Sequence, residues 1–139
     1  MAWETIQTRV GEKPAIVLVD RRFATQAPVA ELTRLCWVGI WCATSPGDHL
    51  WNPAEAAILD AIEDDLLILA DQFGHGWAAY VLRICTRGIR EFYFYAGTDA
   101  DLARIPDHLR TRHPRYRIEF AEKVDASWDW YRSYLTIEH

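Results

Sequence analysis

Residues 77–95, WAAYVLRICTRGIREFYFY, decide the reading of this chain. Two β-rich runs meet at Thr86-Arg87-Gly88, and glycine at such a junction signals a hairpin turn. Strict alternation puts Tyr80, Leu82 and Ile84 on one parity of the first run and Trp77, Val81, Arg83 and Cys85 on the other. In the second run Phe92 and Phe94 oppose Glu91, Tyr93 and Tyr95. One face is therefore oily, and the other mixes rings with ions.

Working outward, residues 35–43, LCWVGIWCA, form another β-rich run in which both parities are largely apolar, as in a central strand. Gly39 weakens its middle and marks a bulge or a close backbone approach. After Thr44-Ser45-Pro46-Gly47-Asp48 comes the clearest helix start: Asn52 caps, Pro53 suits the first helical position, and Glu55 stands where a capping-box carboxylate reaches back. Ile58, Ile62, Leu66, Leu69 and Phe73 supply an apolar stripe, with Asp60, Glu63, Asp64 and Asp71 on the opposite face and Gly74 and Gly76 as the stop.

Downstream, Thr98 to Asp101 opens a second helix with Leu102, Ile105 and Leu109 buried; Pro106 is expected to interrupt it, and His113-Pro114 to end it. Residues 116–121 alternate as a last strand. In the tail, Trp128, Tyr131 and Leu135 are spaced as on a docked helix. Upstream, residues 3–10 and 15–19 flank Gly11 to Pro14 and read as an N-terminal hairpin, followed by a loop over 23–34 with one helical turn.

The expected fold is α+β: a ferredoxin-like β-α-β-β-α-β antiparallel sheet over residues 35–121, with an added N-terminal β-hairpin and a C-terminal helix, in a single domain of residues 1–139. The helix-covered face collects Cys36, Val38, Ile40, Tyr80, Leu82, Ile84, Phe92, Phe94, Ile118 and Phe120. The second face collects Trp37, Trp41, Val81, Arg83, Glu91, Tyr93, Tyr95, Arg117 and Glu119.

Composition narrows the class. A chain of 139 residues, half hydrophobic, with seven Trp, six Tyr and five Phe, is a packed globule and not a disordered segment. A net charge of −5 and a pI near 5.5 argue against non-specific nucleic-acid binding, which needs clustered Lys and Arg. There is no apolar run of membrane-spanning length, and Met1-Ala2-Trp3-Glu4 lacks the regions of a signal peptide, so a cytoplasmic protein is expected, with no membrane partner. Cys36, Cys42 and Cys85 read as reduced thiols, because residues 36 and 42 would be about 20 Å apart along one strand.

The motif Arg90-Glu91-Phe92-Tyr93-Phe94-Tyr95 after a turn, and the tail Asp125-x-x-Trp128-x-x-Tyr131-x-x-x-Leu135, resemble a bacterial family catalogued as domain of unknown function 695. Trp3, the Gly11 to Pro14 turn and the Glu55 helix start add to the likeness, which covers nearly the whole chain. Thr136 departs from the pattern, since proline often follows the leucine in that family. The resemblance implies no established activity. Similar domains are associated with a small acidic ferredoxin-like regulator of ribonuclease E, which implies a regulatory or inhibitory binding role, directed at a nuclease or a toxin.

Three candidate sites follow. The polar-aromatic sheet face offers Trp41, Arg83, Glu91, Tyr93 and Tyr95 to a ligand or partner, with a pocket at Trp41, Arg83, Tyr93 and Tyr95. Such a face can stack RNA bases, but Glu91 and Glu119 would repel phosphate, so no nucleic acid is expected. The bland alternative is a face covered by the hairpin or the tail, with Arg83 and Glu91 as an internal ion pair. The acidic helix face, Asp60, Glu63 and Asp64, could dock a basic partner; the competing reading is neutralisation by Arg104, Arg110, Arg112, Arg115 and Arg117 on the neighbouring helix.

His49, His75, His108, His113 and His139 lack metal-ligand spacing apart from His108 and His113, which are five apart, so neither metal nor cofactor is expected. Asp64 and Asp65 point about 100° apart on a helix and form no dyad, and Cys85 has no predicted histidine beside it. The chain thus reads as a non-enzymatic protein-interaction or regulatory module, monomeric or homodimeric. The alternative is a small-ligand-binding protein or weak enzyme on the sheet face.

Overall fold

A computed structural model of the chain describes residues 3–46 and 50–136. Among the described residues the fold is α+β, a six-stranded antiparallel sheet with three α-helices. Strands β1 (Trp3–Val10) and β2 (Lys13–Asp20) form the first hairpin, and β3 (Arg34–Trp41) precedes helix α1 (Ala56–Gly74). Strands β4 (Ala78–Thr86) and β5 (Ile89–Ala96) form the second hairpin, followed by α2 (Ile105–Arg112), β6 (Ile118–Val124) and α3 (Asp129–Tyr134). The strand order is β1-β2-β4-β5-β3-β6. The first hairpin therefore extends the sheet edge through β2 on β4 and does not lie across a face.

The turn joining β4 to β5 holds Arg87 and Gly88 at φ 52° and 75°, the left-handed pair that a tight two-residue hairpin turn requires. Inside β4 the alternation breaks. Tyr80 pairs with Phe94, yet Leu82 pairs with Tyr93, so Val81 is an inserted residue, a β-bulge. Every side chain beyond it changes face. Leu82 and Ile84 consequently leave the expected helix-covered side and pack with Val17, Val19, Tyr93 and Tyr95. Arg83 moves the other way, under α1, where its guanidinium pairs with Glu63 at 2.7 Å. This corrects the placement of Arg83 beside Glu91 on the second face.

The α1 side of the sheet buries Cys36, Val38, Ile40, Phe92, Phe94 and Ile118 beneath Leu59, Ile62, Leu66, Leu69 and Phe73 of the helix. Ile58, expected in that stripe, is 48% exposed, and Leu59 takes the inward position. Asn52 does cap, its side chain accepting from the Ala54 N–H, and a 3-10 turn over Pro53–Glu55 leads into α1. Glu55 does not reach back to the cap; its carboxylate accepts from the Ala43 and Thr44 N–H groups and the Tyr116 hydroxyl. The left-handed residue ending α1 is His75, at φ 52°, with Gly76 after it.

Pro106 sits in the first turn of α2 and starts that helix instead of breaking it, while Leu102, Ile105 and Leu109 are buried as expected. β6 begins at Ile118, two residues later than the alternation suggests. Among the described residues no helix is long and apolar enough to cross a membrane.

Candidate functional site

The tail covers part of the second sheet face. Asp125 accepts from the Asp129 and Trp130 N–H groups at the start of α3 and from the Tyr95 hydroxyl at 2.6 Å. Burial pushes its carboxyl up, but these three hydrogen bonds outweigh that and hold it below the ordinary value. Trp128, at φ 57°, lays its ring on Tyr95 and donates its indole N–H to the Leu32 carbonyl. Tyr131 donates its hydroxyl to the Asp20 carbonyl at the end of β2. The tail motif is thus a latch in which one carboxylate caps and two rings dock.

Tyr95 is spent in that latch, fully buried and hydrogen-bonded. Trp41 lies farther along β3, stacked under the Arg117 guanidinium at 4.0 Å and edge-on to Trp37 at 6.0 Å. Of the five sheet-face candidates, Glu91 and Tyr93 meet in a groove. That groove, about 360 Å³, is lined by Leu35 and Trp37 of β3, Glu91 and Tyr93 of β5, Ala121 and Lys123 of β6, and Trp130 of α3. Its volume lies within the range of small-ligand sites.

Gly39 makes the groove wall possible. A Cβ there would lie 2.5 Å from Trp37 Cζ2 and 3.1 Å from Trp41 Cζ3, so the bare backbone lets both indoles fold over it. The close approach expected at Gly39 is therefore present. Trp37 then donates its Nε1–H to Glu91 Oε2 at 2.8 Å, and the Tyr93 hydroxyl donates to the same oxygen at 2.7 Å. Burial first, and the Glu91 charge second, push the Tyr93 hydroxyl well above its ordinary range. The same two causes push Tyr134, on α3, up to about 12.

Glu91 differs from the other partly buried carboxylates. Glu63, Asp65 and Glu119 each pair with an arginine, whereas Glu91 has no ion-pair partner among the described residues. Glu55 and Asp125 also lack such a pair but each accepts three hydrogen bonds. On Glu91 both hydrogen bonds fall on Oε2, and Oε1 accepts none from the described residues. Of the groove's other charged groups, Glu122 pairs with Arg34 at 3.0 Å and the Lys123 charge draws the Asp125 carboxyl down.

The acidic residues of α1 divide. Asp60 and Glu63 turn toward the sheet and pair with Arg90, whose side chain is 4% exposed and which sequence reasoning passed over; Asp64 is exposed. Neutralisation between the helices runs through Asp65, which contacts Arg112 at 3.7 Å and His113 at 2.7 Å. His108 packs on Phe73, His75 ends α1, and His49 and His139 lie outside the described residues. Among the described residues no group of three or more His, Cys, Asp or Glu is placed to hold a metal.

Sequence reasoning put Trp37 on this face but not in the site, and it missed Trp130. The available signal was Trp37-x-Gly39-x-Trp41, two indoles spaced to share one bare residue.

A family model described as a family of unknown function, DUF695, matches residues 1–136. No match was found among curated proteins or among solved structures.

Proposed function

The chain belongs to that family of unknown function, and on this premise we propose that it acts by binding, with no chemistry of its own, and receives its ligand in the groove over Glu91. Its architecture supports reading residues 34–124 as a ferredoxin-like unit, since the strands run β4-β5-β3-β6 with α1 and α2 as the two crossovers, and β1 and β2 as an added hairpin.

The observation that carries the reading is a carboxylate anchored by two ring donors inside a 360 Å³ groove, with no ion-pair partner among the described residues. The reactive inventory supports binding over catalysis. Burial raises all three thiols, Cys36 to about 12, away from nucleophilic character. Of the buried carboxylates, Asp20 is paired with Arg22 and Glu55 is consumed by structural hydrogen bonds, as is the partly buried Asp125.

The test is a fragment-library screen by ligand-observed NMR on the wild type and on Ala121→Trp. Ala121 is exposed on β6 at the groove margin, so a large ring there fills the groove without touching the core. Hits on the wild type that vanish in A121W support the reading; hits that persist in A121W, or none on the wild type, overturn it.

A second reading is docking of a basic protein such as a nuclease on the outer face of α1. Exposed Ile58 and Ile68, the latter 61% exposed, favour it, with Asp64 one turn from Ile68. Co-elution with a basic ribonuclease that is lost in D64K/I68E would support it, and co-elution unchanged by that variant would exclude this face.

A further inference from the structure

We infer that the groove takes an organic cation bearing N–H donors, a guanidinium or alkylammonium group on a small ligand, with Glu91 as its counterion. The inference rests on the groove being the binding site and names what it selects.

Three features point the same way. The first is charge. Glu91 is partly buried and forms no ion pair among the described residues, while Arg83 pairs with Glu63 on the opposite face, Arg34 with Glu122, and Arg117 with Trp41 and Glu119. The Glu91 charge contributes to raising Tyr93 and Tyr134, the two tyrosines on either side of Trp130. A cation entering the groove therefore meets a carboxylate that has no ion-pair partner among the described residues, in surroundings of lowered dielectric where the attraction is stronger than in water.

The second is valence. A carboxylate offers about four lone-pair positions, and here both donors sit on Oε2. Oε1 is the acceptor that a ligand N–H would satisfy. A quaternary ammonium has no such hydrogen and would gain only the ring contacts.

The third is the wall. Trp37, Tyr93 and Trp130 line the cavity, Trp130 lies 5.6 Å from Tyr93, and Tyr134 backs Trp130 at 5.1 Å. Aromatic faces attract cations and stack especially well on planar guanidinium. Lys123 is the one basic group lining the groove; it is exposed, and its charge acts on Asp125.

The experiment is isothermal titration of the full chain at low salt with n-butylguanidinium, n-butylammonium, tetramethylammonium and the neutral isostere butanamide, on the wild type and on Glu91→Gln. The inference expects saturable binding of the two N–H cations, affinity weaker by tenfold or more for tetramethylammonium and for butanamide, and a loss of tenfold or more in E91Q. Butanamide binding as tightly as butylguanidinium would overturn the cation assignment while leaving the groove a binding site. Tetramethylammonium binding equally well would overturn the role of Oε1. Failure of all four probes while library fragments still bind in the groove would overturn the inference alone, whereas failure of the library as well would overturn the binding reading beneath it. Should E91Q not fold, the ranking of the four probes on the unaltered chain decides the matter.

Discussion

Trp128 lies flat on Tyr95, ring centroids 4.1 Å apart and planes within 7° of parallel. The contact joins the C-terminal tail to the centre of the sheet, and both rings are fully buried. Truncating a buried indole removes its burial energy and leaves a cavity, so Trp128→Ala is expected to cost about 3–5 kcal/mol. Urea denaturation measures it. A cost below about 1 kcal/mol would mean that the tail is not latched to the sheet as described.

The bulge at Val81 is tested by two carboxylates. Glu63 serves Arg83 and Arg90 beneath α1, with only 20% of its side chain exposed. Glu63→Gln leaves Arg83 without its anion while Arg90 keeps Asp60, and should cost about 2 kcal/mol, less than the 3–5 of a fully buried pair. Glu91→Gln keeps an acceptor for Trp37 and Tyr93 and should cost under about 1 kcal/mol. The reverse order in thermal unfolding would place Arg83 on the Glu91 side after all.

That contrast also marks the limit of what the sequence discloses. The order of elements, the Asn52-Pro53 start and the tail spacing were legible because each has a local cause, a cap or a periodicity. The bulge was not, because Tyr80, Val81 and Leu82 are all apolar, so one inserted residue leaves the pattern unchanged while every later side chain swaps face. Arg83 and Arg90 would have revealed it had they been matched to the acidic side of α1. Half of the groove was legible too, since Glu91 and Tyr93 share a parity with Trp37. Trp130 enters only through a long-range contact that alternation does not encode.

Acid should weaken the fold through Glu55. Burial raises its carboxyl, but hydrogen bonds from Tyr116, Ala43 and Thr44 prevail and lower it below its ordinary 4.5. A group depressed in the folded state stabilises above its unfolded value, and that stability is lost as pH falls through the folded one. Unfolding free energy should therefore decline as pH drops below about 4.5, and Glu55→Gln should flatten the decline. An acid slope identical in E55Q would assign it to other groups.

Gly39→Ala should disturb the groove wall before the core. The added methyl would meet the Trp37 indole at 2.5 Å, forcing the ring off Glu91. A cost of about 1–3 kcal/mol from overpacking is expected, together with a changed Trp37 indole N–H resonance. An unmoved resonance would mean that the two indoles do not depend on the bare backbone.

The most direct measurement of where this chain binds is a two-dimensional NMR titration of the 15N-labelled protein with n-butylguanidinium, read at its seven indole N–H signals. The account predicts saturable shifts of Trp37 and Trp130 together, with Trp3, Trp51 and Trp77 unmoved. Shifts centred on Trp77 or Trp51, with Trp37 and Trp130 still, would contradict it.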